Sequence, residues 1–187
     1  MLLHYLWKLD ARRKWRLISP HLPAGASVLE VGCGMGTVAD AVTAQGHPVV
    51  ALDVADSSRS RELKRVLYDG HRMPFRDGAF DVALILTVLH HATDPEAVLA
   101  EAGRVARRVI VMEDLVEGRW QERLTHWADS LANWEFVGHP HNNRDDRGWR
   151  ETFDALGFSL LSAFSMRFFI FFRQSVYVLD RRGDACA

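Results

Sequence analysis

Short apolar runs alternate with amphipathic stretches as far as about residue 112, after which the pattern changes. Residues 2–18 read as an amphipathic helix, stopped by Ser19-Pro20 and followed by the turn Pro23-Ala24-Gly25. Residues 26–31 predict a first strand, and about 35–45 a helix closed by Gly46. Val49-Val50-Ala51-Leu52-Asp53 predicts a second strand behind Pro48. Residues 59–66 are polar and predict one helical turn or a loop, and a short third strand falls near Val66-Leu67-Tyr68. Phe80 to Leu86 is a continuous apolar run, as a strand buried on both sheet faces requires. Asp94-Pro95-Glu96 is a helix start with Pro at its first position, leading to about Gly103, and Val109-Ile110-Val111-Met112 is a fifth strand.

Strands alternating with helices predict a parallel, doubly wound α/β sheet with helices on both faces. Beyond it, residues 118–136 predict a helix whose Trp120, Trp127 and Trp134 recur every seven residues, the spacing of a core-facing stripe. Residues 137–150 read as a loop rich in His, Asn and Asp, and Trp149 to Leu156 as a helix closed by Gly157. Two further strands, near 158–165 and 174–180, have no helix between them and are expected to pair antiparallel. The expectation is a single domain over 1–187, with about seven strands, five parallel plus a C-terminal hairpin. Its parts are an N-terminal helix (1–23), an alternating strand-helix core (24–112), a further helix and loop (113–150), and a terminal helix and hairpin (151–187).

A net charge of −1 argues against nucleic acid as an electrostatic partner. The basic cluster Arg12-Arg13-Lys14 with Arg16 reads as a solvated helix face. Cys33 and Cys186 cannot build a disulfide framework or a four-ligand zinc cluster, which suits a reducing cytoplasm. The longest strongly apolar run, Val82 to Leu89, is far short of the roughly 20 residues a membrane span needs. The first residues lack the pattern of a secretory signal.

The chemistry concentrates at Val28-Leu29-Glu30-Val31-Gly32-Cys33-Gly34-Met35-Gly36-Thr37, a strand, a glycine turn and a helix start that bring a ligand against bare backbone. Gly34-x-Gly36-x-x-Ala39 alone passes a loose dinucleotide-binding filter. Asp53 ends the second strand, where a carboxylate can accept both ribose hydroxyls of a nicotinamide cofactor or of S-adenosylmethionine. Two features separate these readings. Glu30 puts a negative charge near where a pyrophosphate would sit, which suits a ligand carrying an ammonium and a sulfonium. Nothing after the sheet is long enough for a separate dehydrogenase substrate domain.

The blocks Val28 to Gly36, Leu52-Asp53, Tyr68-Asp69-Gly70-His71-Arg72-Met73-Pro74-Phe75 through Val82, and Thr87-Val88-Leu89-His90-His91-Ala92-Thr93-Asp94-Pro95 resemble class I S-adenosylmethionine-dependent methyltransferases. The likeness is to the ubiquinone/menaquinone-biosynthesis (type 11) group, strongest over 24–112. It implies a Rossmann-like fold and S-adenosyl-L-methionine as cofactor. Gly32, Gly34 and Gly36 would then let the main chain approach that cofactor, and Glu30 would face its methionine end. Asp53 would bind the ribose, Asp69 the adenine amino group with Gly70 and His71 beside the ring, and Thr87 would line the methionine moiety. The short stretch between Asp53 and Asp69 departs from the family pattern and leaves little room for a full helix.

His90 and His91 follow the fourth strand at the carboxyl edge, where a neutral imidazole can serve as a base, with bracing of the loop as the alternative. His126, His139 and His141 with Asp145 and Asp146 lack a regular element to aim metal ligands, so no metal is expected. Phe168-Phe169-Ile170-Phe171-Phe172 cannot all hide in one sheet face; it either packs under the 118–136 helix or forms a wall for a lipophilic acceptor, a self-association patch or a membrane-surface patch. The functional expectation is methyl transfer to a small lipophilic or aromatic acceptor at O or C. The alternatives are a non-catalytic cofactor-binding or scaffold protein and a nicotinamide oxidoreductase.

Overall fold

The computed structural model describes residues 2–56, 63–115, 142, 144–168 and 172–182. Helix α1 (Leu2–Ile18) runs into a 3-10 turn at Ser19–His21. There follow β1 (Val28–Val31), α2 (Thr37–Thr43), β2 (Val49–Asp53), β3 (Lys64–Leu67) and β4 (Phe80–Leu86). A second 3-10 turn (Leu89–His91) leads to α3 (Pro95–Val105) and β5 (Ala106–Leu115), and the chain closes with α4 (Asp146–Ala155), β6 (Phe158–Phe168) and β7 (Phe172–Arg181).

The seven strands lie in the order β3-β2-β1-β4-β5-β7-β6. Strands β1 to β5 are parallel, and β7 runs antiparallel to both β5 and β6. The chain leaves β1 toward β2 and β3, then returns to lay β4 on the other flank of β1. That reversal opens a crevice at the carboxyl ends of β1 and β4, where open α/β sheets hold ligands.

Alternation along the central strands sends side chains to two separate cores. Leu29, Val31, Ala83, Ile85, Val109 and Val111 face one side, against Leu99 and Ala102 of α3 and Trp149 and Phe153 of α4. Val28, Val82, Leu84, Ile110 and Met112 face the other, against Ala11 and Ile18 of α1 and Val38 and Val42 of α2. Helices therefore cover both faces, which is why these strands read as unbroken apolar runs rather than alternating ones.

Several boundaries move from their sequence positions, each for a visible reason. Helix α3 continues through Gly103 to Val105 because Gly103 is a packing position: a Cβ there would stand 2.6 Å from the Phe158 ring. Helix α4 starts at Asp146 rather than Trp149, since the Asp145 side chain accepts the Gly148 N–H at 2.7 Å and caps it. The hairpin strands are longer than expected, with a register shift between Leu160 and Ser162 and with Phe168 opposite Phe172. The predicted 118–136 helix with its three tryptophans, His126, His139, His141, the central Phe169-Ile170-Phe171 and Cys186 lie outside the described residues. No helix among the described residues is long and apolar enough to cross a membrane.

Candidate functional site

The glycine turn after β1 is tied to β2 by its backbone: Gly32 and Cys33 both donate their N–H to the Leu52 carbonyl, at 2.8 and 3.2 Å. Gly32, Gly34 and Gly36 all have positive φ. At Gly32 the close neighbour is the turn after β4, because a Cβ would lie 2.6 Å from Val88 Cγ2. At Gly34 a Cβ would meet nothing within 4 Å, so this peptide borders open space. Gly36 caps α2.

Asp53, at the carboxyl end of β2, points back at this turn. Its Oδ2 accepts the Gly34 N–H at 2.7 Å and its Oδ1 accepts the Val54 N–H at 2.7 Å. Glu30 is only 4% exposed, and its Oε2 has no hydrogen-bond partner among the described residues. Burial pushes the Glu30 carboxyl up from 4.5 to about 8, against the opposing pull of the nearby Lys14 charge and the Ala39 N–H. A buried acid with an unsatisfied oxygen is costly to a fold that gets nothing from it.

Thr87, directly after β4, has φ 63°, the one non-glycine with positive φ among the described residues. For a β-branched residue this is strain. The main chain is held by the Thr87 N–H donating to Met112 O at 2.7 Å, and the hydroxyl accepts from Lys14 Nζ at 3.0 Å while donating to Leu86 O at 2.5 Å. Glu30, the three glycines, Asp53 and Thr87 therefore come together at the crevice between β1 and its neighbours.

Asp69 is exposed and caps its own turn, with Oδ1 accepting from His71 N at 2.9 Å and Arg72 N at 3.2 Å. Those N–H groups hold its carboxyl below the usual range. This is ordinary turn chemistry, and it gives Asp69 a structural task whatever else it does. Gly70 lies against Val54, its would-be Cβ 3.5 Å from Cγ1, so the loops after β2 and β3 adjoin; His71 is exposed beside them. The following loop is stapled to α3: Glu101 accepts the Met73 N–H at 2.9 Å, and Arg104 donates to Met73 O at 3.0 Å and to Phe75 O at 2.8 Å.

The turn holding His90 and His91 is organised by Glu113 of β5. Its fully buried carboxylate accepts Val88 N and Leu89 N through Oε1, at 2.9 and 2.7 Å, and binds His90 Nδ1 through Oε2 at 2.6 Å. A proton on Nδ1 leaves Nε2 as the basic nitrogen of His90. His90 is buried and its ring centroid lies 4.0 Å from that of the partly exposed His91. Asn142 docks on the same turn, donating its N–H to His90 O and its side-chain amide to Ala92 O.

Three participants were not singled out from the sequence. Glu113 interrupts the apolar run of β5, and a charge inside such a run is a legible signal. Arg65 of β3 donates to Gly34 O at 3.0 Å and to Cys33 Sγ at 3.3 Å, bracing the glycine turn from the far side. Lys14 is the clearest correction. The basic cluster is not one solvated face: Arg12 and Arg16 are exposed, but Lys14 is 8% exposed and falls in step with the buried Ala11 and Ile18. The Cys33 thiol is pushed up to about 11 by burial, which suits a filler and not a nucleophile. Asp145 and Asp146 serve α4, the first as its cap and the second by accepting from Tyr177 Oη at 2.8 Å and Arg150 Nε at 2.7 Å.

Residues 4–163 match the model of a methyltransferase domain family, most of the chain. This chain belongs to the methyltransferase domain family. It is 32% identical over 87 residues to a ubiquinone biosynthesis O-methyltransferase of Chromobacterium violaceum, covering 41% of this chain and 38% of that protein. It is 33% identical over 111 residues to a malonyl-[acyl-carrier protein] O-methyltransferase of Serratia marcescens, covering 55% and 44%. The chain thus spans under half the length of these curated relatives. Its fold is that of a SAM-dependent methyltransferase structure from Archaeoglobus fulgidus, with a TM-score of 0.74 at 12% identity over 94% of each chain. Family and fold bear out the resemblance to class I methyltransferases, the class whose cofactor is S-adenosylmethionine.

Proposed function

We propose that this methyltransferase-family chain binds S-adenosylmethionine and transfers its methyl group to a small lipophilic or aromatic acceptor, at oxygen or carbon. The observation that carries the reading is the buried Glu30 carboxyl, with its unsatisfied Oε2, at the base of a glycine turn that faces open space at Gly34. A pyrophosphate would keep that carboxyl protonated and gain no attraction from it. A ligand with an ammonium and a sulfonium supplies the missing counter-charge. In this reading Gly32, Gly34 and Gly36 offer backbone, Asp53 takes the ribose hydroxyls, and Asp69, Gly70 and His71 flank the adenine. Thr87 lines the methionine end.

The cofactor supplies an already activated methyl, so the protein's work is alignment and, for a hydroxyl acceptor, proton removal. Of the two histidines, His90 is the one whose tautomer Glu113 holds and whose imidazolium it would balance, which supports His90 as the base. His90→Asn is expected to lower kcat with a phenolic acceptor about a hundredfold and leave cofactor affinity unchanged, whereas His91→Asn changes kcat little. Equal losses in both variants would remove this assignment. The sparse cysteines favour a cytoplasmic setting, and no nucleic-acid partner is proposed.

Calorimetric titration with S-adenosylmethionine and with NADH tests the cofactor, and release of S-adenosylhomocysteine in the presence of catechols, quinols and acyl carboxylates tests turnover. Binding of NADH in preference to S-adenosylmethionine would sink the reading. Tight S-adenosylmethionine binding without turnover would favour a non-catalytic cofactor-binding module.

A further inference from the structure

Helix α1 packs on the sheet with one stripe and shows another to solvent. Ala11, Lys14 and Ile18 are buried, three and four residues apart on a single face. Tyr5, Leu9, Arg12 and Arg16 follow i, i+4, i+7 and i+11 on the opposite face, and all four are exposed. Leu6 and Lys8 flank that stripe and are exposed as well. Tyr5 is 59%, Leu6 51% and Leu9 41% exposed, so half of the six large hydrophobic side chains exposed among the described residues stand in one five-residue stretch. Packing of α1 on the sheet does not account for them, because the face that packs is the other one.

Contacts along α1 fix its direction relative to the strands. Past its last residue, Arg108 near the start of β5 donates to His21 O at 3.4 Å. Further up the helix, Lys14 Nζ donates at 3.0 Å to Thr87 Oγ1, just after β4. Arg13 Nη1 donates at 2.7 Å to Gln174, which pairs with Asp114 near the end of β5. The first turns of α1 therefore point past the carboxyl edge of the parallel strands. The stretch from Leu2 to Asp10, about 12 Å of helix, lies beyond the contacts that hold it there. The crevice opens at that same edge.

The exposed face changes character along its length. Tyr5, Leu6 and Leu9 form an apolar patch, and Lys8, Arg12 and Arg16 add three positive charges in a chain whose net charge is −1. The one acid of α1, Asp10, lies off the stripe and is taken by Arg13 and Lys14. Leucines beside bases, with no acid among them, complement a surface that is anionic outside and hydrocarbon within. The phosphates of an anionic bilayer take the bases, the acyl boundary takes the leucines, and a tyrosine ring belongs at the level between. A nucleic acid would leave the leucines unused, and a second copy of this face would bring three bases no acid.

We propose that the exposed face of α1 docks the protein on an anionic lipid surface, with Leu6 and Leu9 in the acyl boundary and Lys8, Arg12 and Arg16 at the phosphates. The crevice edge then lies beside the bilayer, and a lipophilic acceptor enters from it. The dock itself does not depend on the methyl-transfer reading, and its failure would leave that reading intact.

The test is flotation of the full chain with vesicles of phosphatidylcholine alone and of phosphatidylcholine with phosphatidylglycerol, across a salt series. Binding is expected on the anionic vesicles, weaker on the neutral ones, and falling as salt rises. Arg12→Gln with Arg16→Gln is expected to weaken binding to anionic vesicles about twenty-five-fold, or about fivefold for each charge, and to leave neutral vesicles unaffected. Leu6→Gln with Leu9→Gln is expected to weaken binding to both by about tenfold or more. Glutamine keeps the helix propensity of these exposed positions, and thermal melting checks that both variants are folded. No binding to anionic vesicles would overturn the proposal. So would binding that neither variant changes, since the lipid contact would then lie elsewhere on the chain. Self-association in light scattering that Leu6→Gln with Leu9→Gln abolishes, without vesicle binding, would assign the face to a second copy and overturn it too.

Discussion

Replacing Asp53 by Ala is expected to weaken S-adenosylmethionine binding by about a hundredfold or more and to leave the protein folded. A carboxylate that accepts two ribose hydroxyls makes two charge-assisted hydrogen bonds, each contributing on the order of 1.5–3 kcal/mol. The structural cost is smaller. The three groups that Asp53 accepts, the N–H groups of Gly34, Val54 and Ala55, lie in partly or fully exposed surroundings, where water can replace the lost acceptor. Asp53→Asn separates the two contributions, because an amide keeps the shape and one acceptor but loses the charge. It is expected to fall between wild type and Asp53→Ala. The measurement is calorimetry with S-adenosylmethionine and 5′-methylthioadenosine alongside a melting curve. Both ligands carry the ribose and both should suffer alike. Unaltered affinity in Asp53→Ala would remove the ribose assignment, and a collapse of the melting temperature would recast Asp53 as a brace for the glycine turn.

The parallel core was legible because local signals agreed with global packing. The run Phe80 to Leu86 is buried on both sides, Asp94 accepts the Ala97 N–H as its position ahead of Pro95 implied, and the glycines that read as a turn do adopt positive φ. The length of the hairpin was less legible, because edge-proximal strands mix polar and apolar residues without the clean period of a half-buried strand. Ser165 sits within β6 but reads as a strand end.

The site was legible where its function depends on backbone shape and obscure where it depends on partners distant in sequence. Glycine spacing and an acid at a strand end are local patterns. The bond between Lys14 and Thr87 spans 73 positions, and that between Glu113 and His90 spans 23. Neither pairing is written in a motif. Each partner did leave a trace, as a charge at a position that hydrophobic periodicity assigns to the interior. Treating four clustered basic residues as one surface feature hid this for Lys14, since neighbours in sequence point about 100° apart around a helix.

The Glu30 carboxyl gives the second large effect, and its sign can be worked out. Burial is the dominant cause of its rise from 4.5 to about 8, with Asp53 and Asp40 adding to it and Lys14 and the Ala39 N–H opposing. The folded protein therefore keeps a proton that the unfolded chain releases above about pH 4.5. The native state binds more protons across that interval, so stability is greatest below pH 4.5 as far as this group is concerned and is lost as pH climbs through about 8. The loss is on the order of a few kcal/mol. Asp69, Asp77, Asp81, Glu101 and Asp146 are all held below the usual carboxylate range, so they act in the opposite direction and only at more acid pH. The two windows do not overlap. Glu30→Gln is expected to abolish the decline between pH 5 and 8 in denaturant titrations and to be the more stable protein at pH 8. A cationic ligand reverses the balance at Glu30, because a positive charge beside it favours the ionised form. Binding S-adenosylmethionine near pH 7 is then expected to expel close to one proton, visible as a binding enthalpy that changes with the ionisation heat of the buffer. The affinity should rise with pH toward 8. Glu30→Gln should bind more weakly, with a buffer-independent enthalpy. A wild type whose stability falls from pH 5 to 8 but whose binding enthalpy ignores the buffer would show that Glu30 keeps its proton in the complex, and the charge argument for a cationic cofactor would lose its main support.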